Sequence, residues 1–407
     1  MRSFYTTFLS LLLLSLCATA ADPQSAKLSS PPSSGSWVQE ATLTNTVGCC
    51  LNARAVAIGG NTVAASPIGG SVFVYVRPAS GWHSTTQTAI LSPSNPSVAA
   101  NFGSSIAIAG NTIVVGCDQA TVGGNSRQGA LYVFVEPAGG WTNMTETAIL
   151  TASDGKAGYE LGATVAIDGD TIVGGPGAGV YVFVKPAGGW VTGTQTAELT
   201  STKQALTSVS IAGNTVAAGG GSTGGQVQGG VSIFVKPSSG WSDMTETATL
   251  DTGILNISGV QQVAISGDTV VAGTPNISPN GISHAGGVFV WVKPAAGWSN
   301  MPPTAELTAS NGNKNASLGV FVGINSAVIV AGAPAATVGS NPQQGAVYVF
   351  NKPASGWKNA TESAELTLSG GTALSLFGFS VGLSGGTIVG GAPFINSGTG
   401  AAYIFGQ

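Results

Sequence analysis

The chain has 407 residues, of which 7% are charged and 43% hydrophobic, with 61 glycines; this balance excludes a disordered chain and a conventional helical one. Formal net charge is −4. There is no basic run, which argues against nucleic acid and an anionic membrane surface as partners.

Taken from the N-terminus, residues 1–20 carry one cation (Arg2), an apolar run over 8–17 and then Ala18-Thr19-Ala20, the composition of a cleaved secretory signal peptide. A lipoprotein would use Cys17, but Leu16 stands where a small residue is wanted. Residues 21–36 have linker composition. No later segment reaches the ~18 apolar residues of a membrane helix. The mature chain is expected to be soluble and secreted to the extracellular space, the periplasm or the cell surface, with no membrane insertion. It is expected to be a monomer. Three cysteines survive export: Cys49, Cys50 and Cys117. An odd count implies one disulfide beside a spare thiol, or a vicinal Cys49–Cys50 bridge beside a free Cys117.

From residue 37 onward one pattern repeats. Tryptophans at 37, 82, 141, 190, 241, 298 and 357 mark units of about fifty residues, a period that belongs to propellers and solenoids. Within a unit, two alternating β-branched runs flank a short corner, as in FGSSIAIAGNTIVVG (102–116) and LGATVAIDGDTIVGGP (161–176), which is a hairpin signal. A variable loop follows, then a third strand such as GALYVFV (129–135), a Pro-Gly turn, and a fourth strand ending in TETAILT (145–151). The tryptophan is expected at the outer corner between strands three and four. Glu146, Glu198, Glu246, Glu306 and Glu362 read as one repeated fourth-strand position on a solvated face.

The ends of the array decide its closure. It begins with a lone fourth strand, WVQEATLT (37–44), and ends after a third strand, AAYIF (401–405). An open stack would want capping repeats. A ring whose last blade is completed by the N-terminal strand explains both fragments, so the predicted fold is an all-β, seven-bladed propeller of four-stranded antiparallel blades. The single domain spans 37–407, with 37–46 and 376–407 forming the closing blade.

Phe102-Gly103 and Phe377-Gly378, with Leu-Gly at 161–162 and 318–319, alternate with Gly332-Ala333-Pro334 and Gly391-Ala392-Pro393, and with GGP at 174–176 and GTP at 273–275. This alternation resembles FG-GAP repeat proteins, the β-propeller repeats of integrin alpha heads, in a secreted bacterial type without calcium loops. The resemblance covers residues 36–407 and implies an extracellular, adhesive role.

Integrin-like repeats hold calcium in acidic corners. Here the corners shrink to Gly-Asn, Gly-Asp or Gly-Gly, and the Asp168/Asp170 pair supplies too few oxygens for Ca²⁺. No metal and no cofactor is therefore expected. His83 and His284 fall on different blades, and no nucleophile elbow, zinc motif or phosphate loop is present. An enzyme is not the expected reading. The joins between strands two and three and between four and one collect on one face, where recognition loops gather. There Arg127, Tyr159, Glu160 and Phe394 are the candidate contacts, because arginine and aromatics dominate hot spots. Cys117 ends a second strand on the same face, so a staple to Cys50 or Cys49 is preferred, with a dry free thiol as its rival. Asn143, Asn256, Asn276, Asn315 and Asn359 carry Asn-x-Ser/Thr signals. The expected function is a binding or adhesion module for an extracellular protein or glycan. The alternatives are a polysaccharide hydrolase or lyase using carboxylates such as Asp118 and Glu160, and a structural envelope protein.

Overall fold

The first hairpin of nearly every unit turns on a glycine in the left-handed region: Gly60, Gly110, Gly169, Gly213, Gly267 and Gly385. With no β-carbon, glycine adopts this conformation without steric cost. Strands Thr164–Asp168 and Thr171–Gly175 can then pair antiparallel from Thr164↔Gly175 to Asp168↔Thr171. The sixth unit solves the corner differently: Asn325 Oδ1 accepts the N–H groups of Ala327 and Val328 at 2.9 and 2.8 Å.

The computed structural model describes residues 36–46, 51–67, 70–177, 179–222, 228–255 and 260–407. The leader, residues 21–35 of the linker, Cys49, Cys50 and Asn256 lie outside them. The strands form seven antiparallel sheets, each following one sequence repeat. We number these blades 1 to 7 from Val56. Blade 7 contains Ser380–Ser384, Thr387–Ala392 and Ala401–Gly406, and its fourth strand is the N-terminal Val38–Thr44. The closing pair runs antiparallel from Val38↔Gly406 to Leu43↔Ala402, with a bulge between Gln39 and Ala41. The ring therefore closes as the two terminal fragments require.

Each core is shared between neighbours. One cluster joins Val271, Ala305 and Leu307 of blade 5 to Ile329, Tyr348 and Phe350 of blade 6. The glycines of the two sequence signatures meet here. A β-carbon on Gly116, Gly273 or Gly332 would press on the carbonyl oxygen of Gly162, Gly319 or Gly378 of the next blade, well inside the 3.0 Å that β-carbons essentially never cross. The aromatic of the signature is buried beside them: Phe102 packs edge-on against Tyr132 at 5.2 Å and Phe377 against Tyr403 at 6.0 Å.

Two expectations change in detail. The tryptophans follow the turn between strands three and four, but their clusters reach across the groove: Trp82, Trp141, Trp190, Trp241 and Trp357 are each buried with their own third strand and with the fourth strand of the preceding blade, Trp141 for instance with Tyr132, Ala89 and Leu91. The indole is the largest apolar group of the segment and the groove between blades is the site that removes it from water. Trp37 is out of register with this series, because it lies three residues closer to its strand than the others.

The five glutamates also occupy two positions rather than one. Glu198 and Glu306 lie within fourth strands, whereas Glu146, Glu246 and Glu362 precede them and reach back to the previous blade. Glu146 accepts the N–H of Ser94 at 2.8 Å, Glu246 that of Thr202 at 3.1 Å and Glu362 that of Ser310 at 2.8 Å; the Ser or Thr hydroxyl donates to the second oxygen each time. Gln87 and Gln195 likewise accept the N–H of Thr46 and Ser153 but donate their Nε2 to the hydroxyl, and Gln39 Oε1 accepts both the N–H and the hydroxyl of Ser369. The position is a clasp between blades, not a solvated face.

Candidate functional site

The two faces of the ring differ in how they treat the left-handed backbone. On the face of the short corners, every described left-handed residue is glycine. On the opposite, long-loop face, fourteen non-glycine residues have positive φ, among them Arg127 (56°), Glu160 (60°), His284 (49°), Gln343 (54°) and Leu376 (53°). Each such residue costs on the order of 1 kcal/mol that glycine would not.

Between blades 2 and 3 the sequence builds a zipped pair of loops. Asn125 Nδ2 donates to Gln128 Oε1 at 3.0 Å and to the Gly155 carbonyl at 3.2 Å. Gln128, 4% exposed, donates in turn to Ala152 O at 3.4 Å. Backbone bonds from Gly158 to Ser126, Glu160 to Arg127 and Leu161 to Gln128, at 3.0 Å each, complete the zipper. Its two left-handed tips stand side by side, and Arg127 forms an ion pair with Glu160 while remaining 56% exposed.

Asp118 lies close enough for its acidity to feel the Glu160 charge. Burial pushes the Asp118 carboxyl up from its ordinary value, and Glu160 adds to this; the bond from Asn101 Nδ2 at 2.8 Å opposes both. Beside them Lys156 Nζ stands 5.7 Å from the centre of the Tyr159 ring, and Asp154 accepts the Tyr181 hydroxyl at 2.9 Å. The local chemistry is one guanidinium and two carboxylates on a rigid frame.

The same frame recurs between blades 6 and 7 with other tips. Asn341 donates to Gln344 at 2.9 Å and to Gly371 O at 3.1 Å, and Leu376 N donates to Gln343 O at 3.1 Å. Gln343 and Leu376 thus hold the places of Arg127 and Glu160. Between blades 5 and 6 those places belong to His284 and Ser317, whose backbones bond at 3.2 Å.

The structure brings Arg127, Tyr159 and Glu160 together. Phe394, 42% exposed, stands apart on blade 7, ahead of the single helical turn Ile395–Gly398. The sequence reading missed Arg54, which lies over the Phe379 ring at 6.0 Å, with Phe321 6.2 Å from Phe379. Aligning the repeats shows the signal: Arg54 alone puts a cation two residues after the first residue of the Phe-Gly signature position.

The staple from Cys117 to Cys49 or Cys50 is not made. Cys117 is a free, fully buried thiol whose Sγ donates to Ala100 O at 3.1 Å. Cys49 and Cys50 lie outside the described residues; just after them, Asn52 N donates to Thr399 O at 3.1 Å and Ser380 Oγ to Ala53 O at 2.8 Å, which ties this stretch to blade 7. Burial, then the Asp118 charge, push the thiol pKa up to about 12.

The acidic corners are likewise engaged by the protein. Asp168 accepts the Gly213 N–H at 2.5 Å, and Asp170 and Asp268 form ion pairs with Lys185 and Lys293. Among the described residues no three His, Cys, Asp or Glu side chains converge as a metal site, and no helix is long and apolar enough to cross a membrane.

Four segments, 85–134, 144–178, 303–350 and 360–405, match the family model of the FG-GAP repeat. Three of them begin near a clasp and 303–350 begins at Pro303; each then runs through a Phe-Gly or Leu-Gly signature into the strands of the next blade. No curated protein sequence matches the chain. Among solved structures, the WD40 β-propeller domain of Doa1 is similar, with a TM-score of 0.56 at 11% identity over 92% of this chain and 98% of that one. At that identity the likeness speaks for the fold alone.

Proposed function

From a ring that carries FG-GAP repeats across four of its blade junctions, we propose a secreted, non-catalytic binding or adhesion module that takes an extracellular protein or glycan on its long-loop face. The observation that supports it is the left-handed side chains. Where the fold needs only a turn it uses glycine, and where Arg127 and Glu160 stand it accepts backbone strain to keep a side chain. A rigid frame with exchangeable tips is how loops on a scaffold recognise ligands. The test is a screen of the purified chain on glycan and matrix-protein arrays, with and without EDTA. The expected result is binding that survives EDTA, falls at least tenfold in Arg127→Ala, and is unchanged in Lys352→Ala on the opposite face. Equal binding by both variants would remove the site from this face.

One observation favours a second reading. Burial and the Glu160 charge push the Asp118 carboxyl up, the direction that a general acid working near a second carboxylate would need in glycoside cleavage. Release of reducing ends from an acidic or neutral polysaccharide, abolished in Asp118→Asn, would establish that reading in place of the first.

A further inference from the structure

Six of the seven blade junctions carry the Gln or Glu clasp, and the junction of blades 4 and 5 does not. Both partners are missing there: Pro303 stands where the clasp residue reaches back, and Gly253 stands where a Ser or Thr receives it. The Gly253 N–H turns to Asp251 Oδ1 of its own blade at 2.9 Å.

The same rim shows two further deficits. Trp298 is only half-buried, whereas its five counterparts are 5–7% exposed. Thr249 Oγ1 is buried without a hydrogen-bond partner, which costs free energy wherever it occurs. The segment after Trp298 joins blade 4 through the one-residue bridge Leu250↔Met301, as Leu91↔Met144 does at the clasped junction of blades 1 and 2, and through the bond from Thr249 N to Asn300 Oδ1 at 2.8 Å.

Blade 4 compensates within itself. Its fourth strand, Ala248–Leu255, has eight residues where those of blades 1, 2, 3, 5 and 6 have three or four, and it pairs with its own third strand out to Gln228↔Leu255. Nearer the axis the two blades remain closely packed, since a β-carbon on Gly219 would strike Val260 and Val263. The deficit is confined to the outer rim.

We propose that the junction of blades 4 and 5 is the seam at which the ring opens first, its outer rim parting while the six clasped junctions hold. Opening free energies vary across a structure with the bonds that must break, and here two fewer must break.

Hydrogen-exchange mass spectrometry on the purified chain tests this. Protection factors for peptides covering 248–255 and 298–308 are expected to be roughly tenfold lower than for those covering 148–153 and 190–200 at the clasped junction of blades 2 and 3. Pro303→Gln supplies an acceptor for the Gly253 N–H and should slow exchange at the seam by about the same factor. Gln195→Ala should speed exchange at its own junction to the level of the seam. Equal protection at the two junctions in the parent chain, or an unchanged rate in either variant, would overturn the proposal.

Discussion

Gly332→Ala isolates what the paired glycines do. Gly332 does not have a left-handed φ, so alanine there carries no conformational penalty of that kind; the whole effect is contact. The new β-carbon would meet the carbonyl oxygen, carbonyl carbon and Cα of Gly378, all backbone atoms with no rotamer to move. Blades 6 and 7 would have to separate by roughly 1 Å, and a gap of that size forfeits a quarter to a half of each dispersion contact across the interface. The expected loss is about 3 kcal/mol, the upper part of the overpacking range. Two other glycines act as controls. Gly339 has φ +58° and open space around its β-carbon position, so Gly339→Ala should cost about 1 kcal/mol through conformation alone. Gly386 has open space and no left-handed φ, so Gly386→Ala should be neutral or stabilising by about 0.5 kcal/mol through the unfolded chain. Urea unfolding followed by tryptophan fluorescence gives all three as midpoint shifts at constant slope. If Gly332→Ala were as mild as Gly339→Ala, the glycine contact would not be the reason for the signature.

Three further outcomes are expected. Glu146→Ala should lower stability by about 1 kcal/mol while Glu146→Gln loses little, because glutamine already serves at positions 39, 87 and 195; a double-mutant cycle with Ser94→Ala measures the coupling. Asp118 has a folded pKa above its unfolded one, so its favourable contribution exists at low pH and is lost as pH rises through the folded value. Asp118→Asn should therefore raise Tm at pH 7 by about 1–2 °C and leave it unchanged at pH 3, as read by scanning calorimetry. Cys117, buried and protonated, should escape iodoacetamide at pH 8 in the native chain and react once urea is added, with peptide mass spectrometry as the readout.

The architecture was legible because it is written seven times. A hairpin corner at Gly169 or Gly267 is a local rule, and repeating it with a fixed spacing leaves a closed ring as the way to cover every apolar face. The incomplete units at the two ends then specify the closing pair, Val38–Thr44 against Ala401–Gly406. What the sequence hid is what depends on the offset between blades. Aligning TETAILT (145–151) with TQTAELT (194–200) puts Glu146 and Glu198 in different registers, but only the neighbouring blade shows that the first register is a clasp. The cysteine pair shows the same limit: the stretch that follows it, Asn52 and Ala53, is bonded to blade 7, an angular position in the ring that the repeat pattern does not carry. The meeting of Arg127 with Glu160 has the same origin: residues 33 apart become neighbours because the loop leaving one blade zips to the loop that opens the next.

The zipper also separates the two jobs that a loop must do. Asn125 and Gln128 hold one frame, Asn341 and Gln344 hold another, and both use the same bonds to the same backbone positions. The bonds that the two frames share at the tips run through backbone N–H and carbonyl groups, and the Arg127–Glu160 ion pair is added on top of them at one junction. Side chains at 127 and 160, or at 343 and 376, are therefore free to change without loss of the ring. In one chain they are already an ion pair at one junction and a Gln–Leu pair at another. A surface built this way gains specificity by altering tips one junction at a time, while the glycine contacts and clasps beneath keep the blades in register.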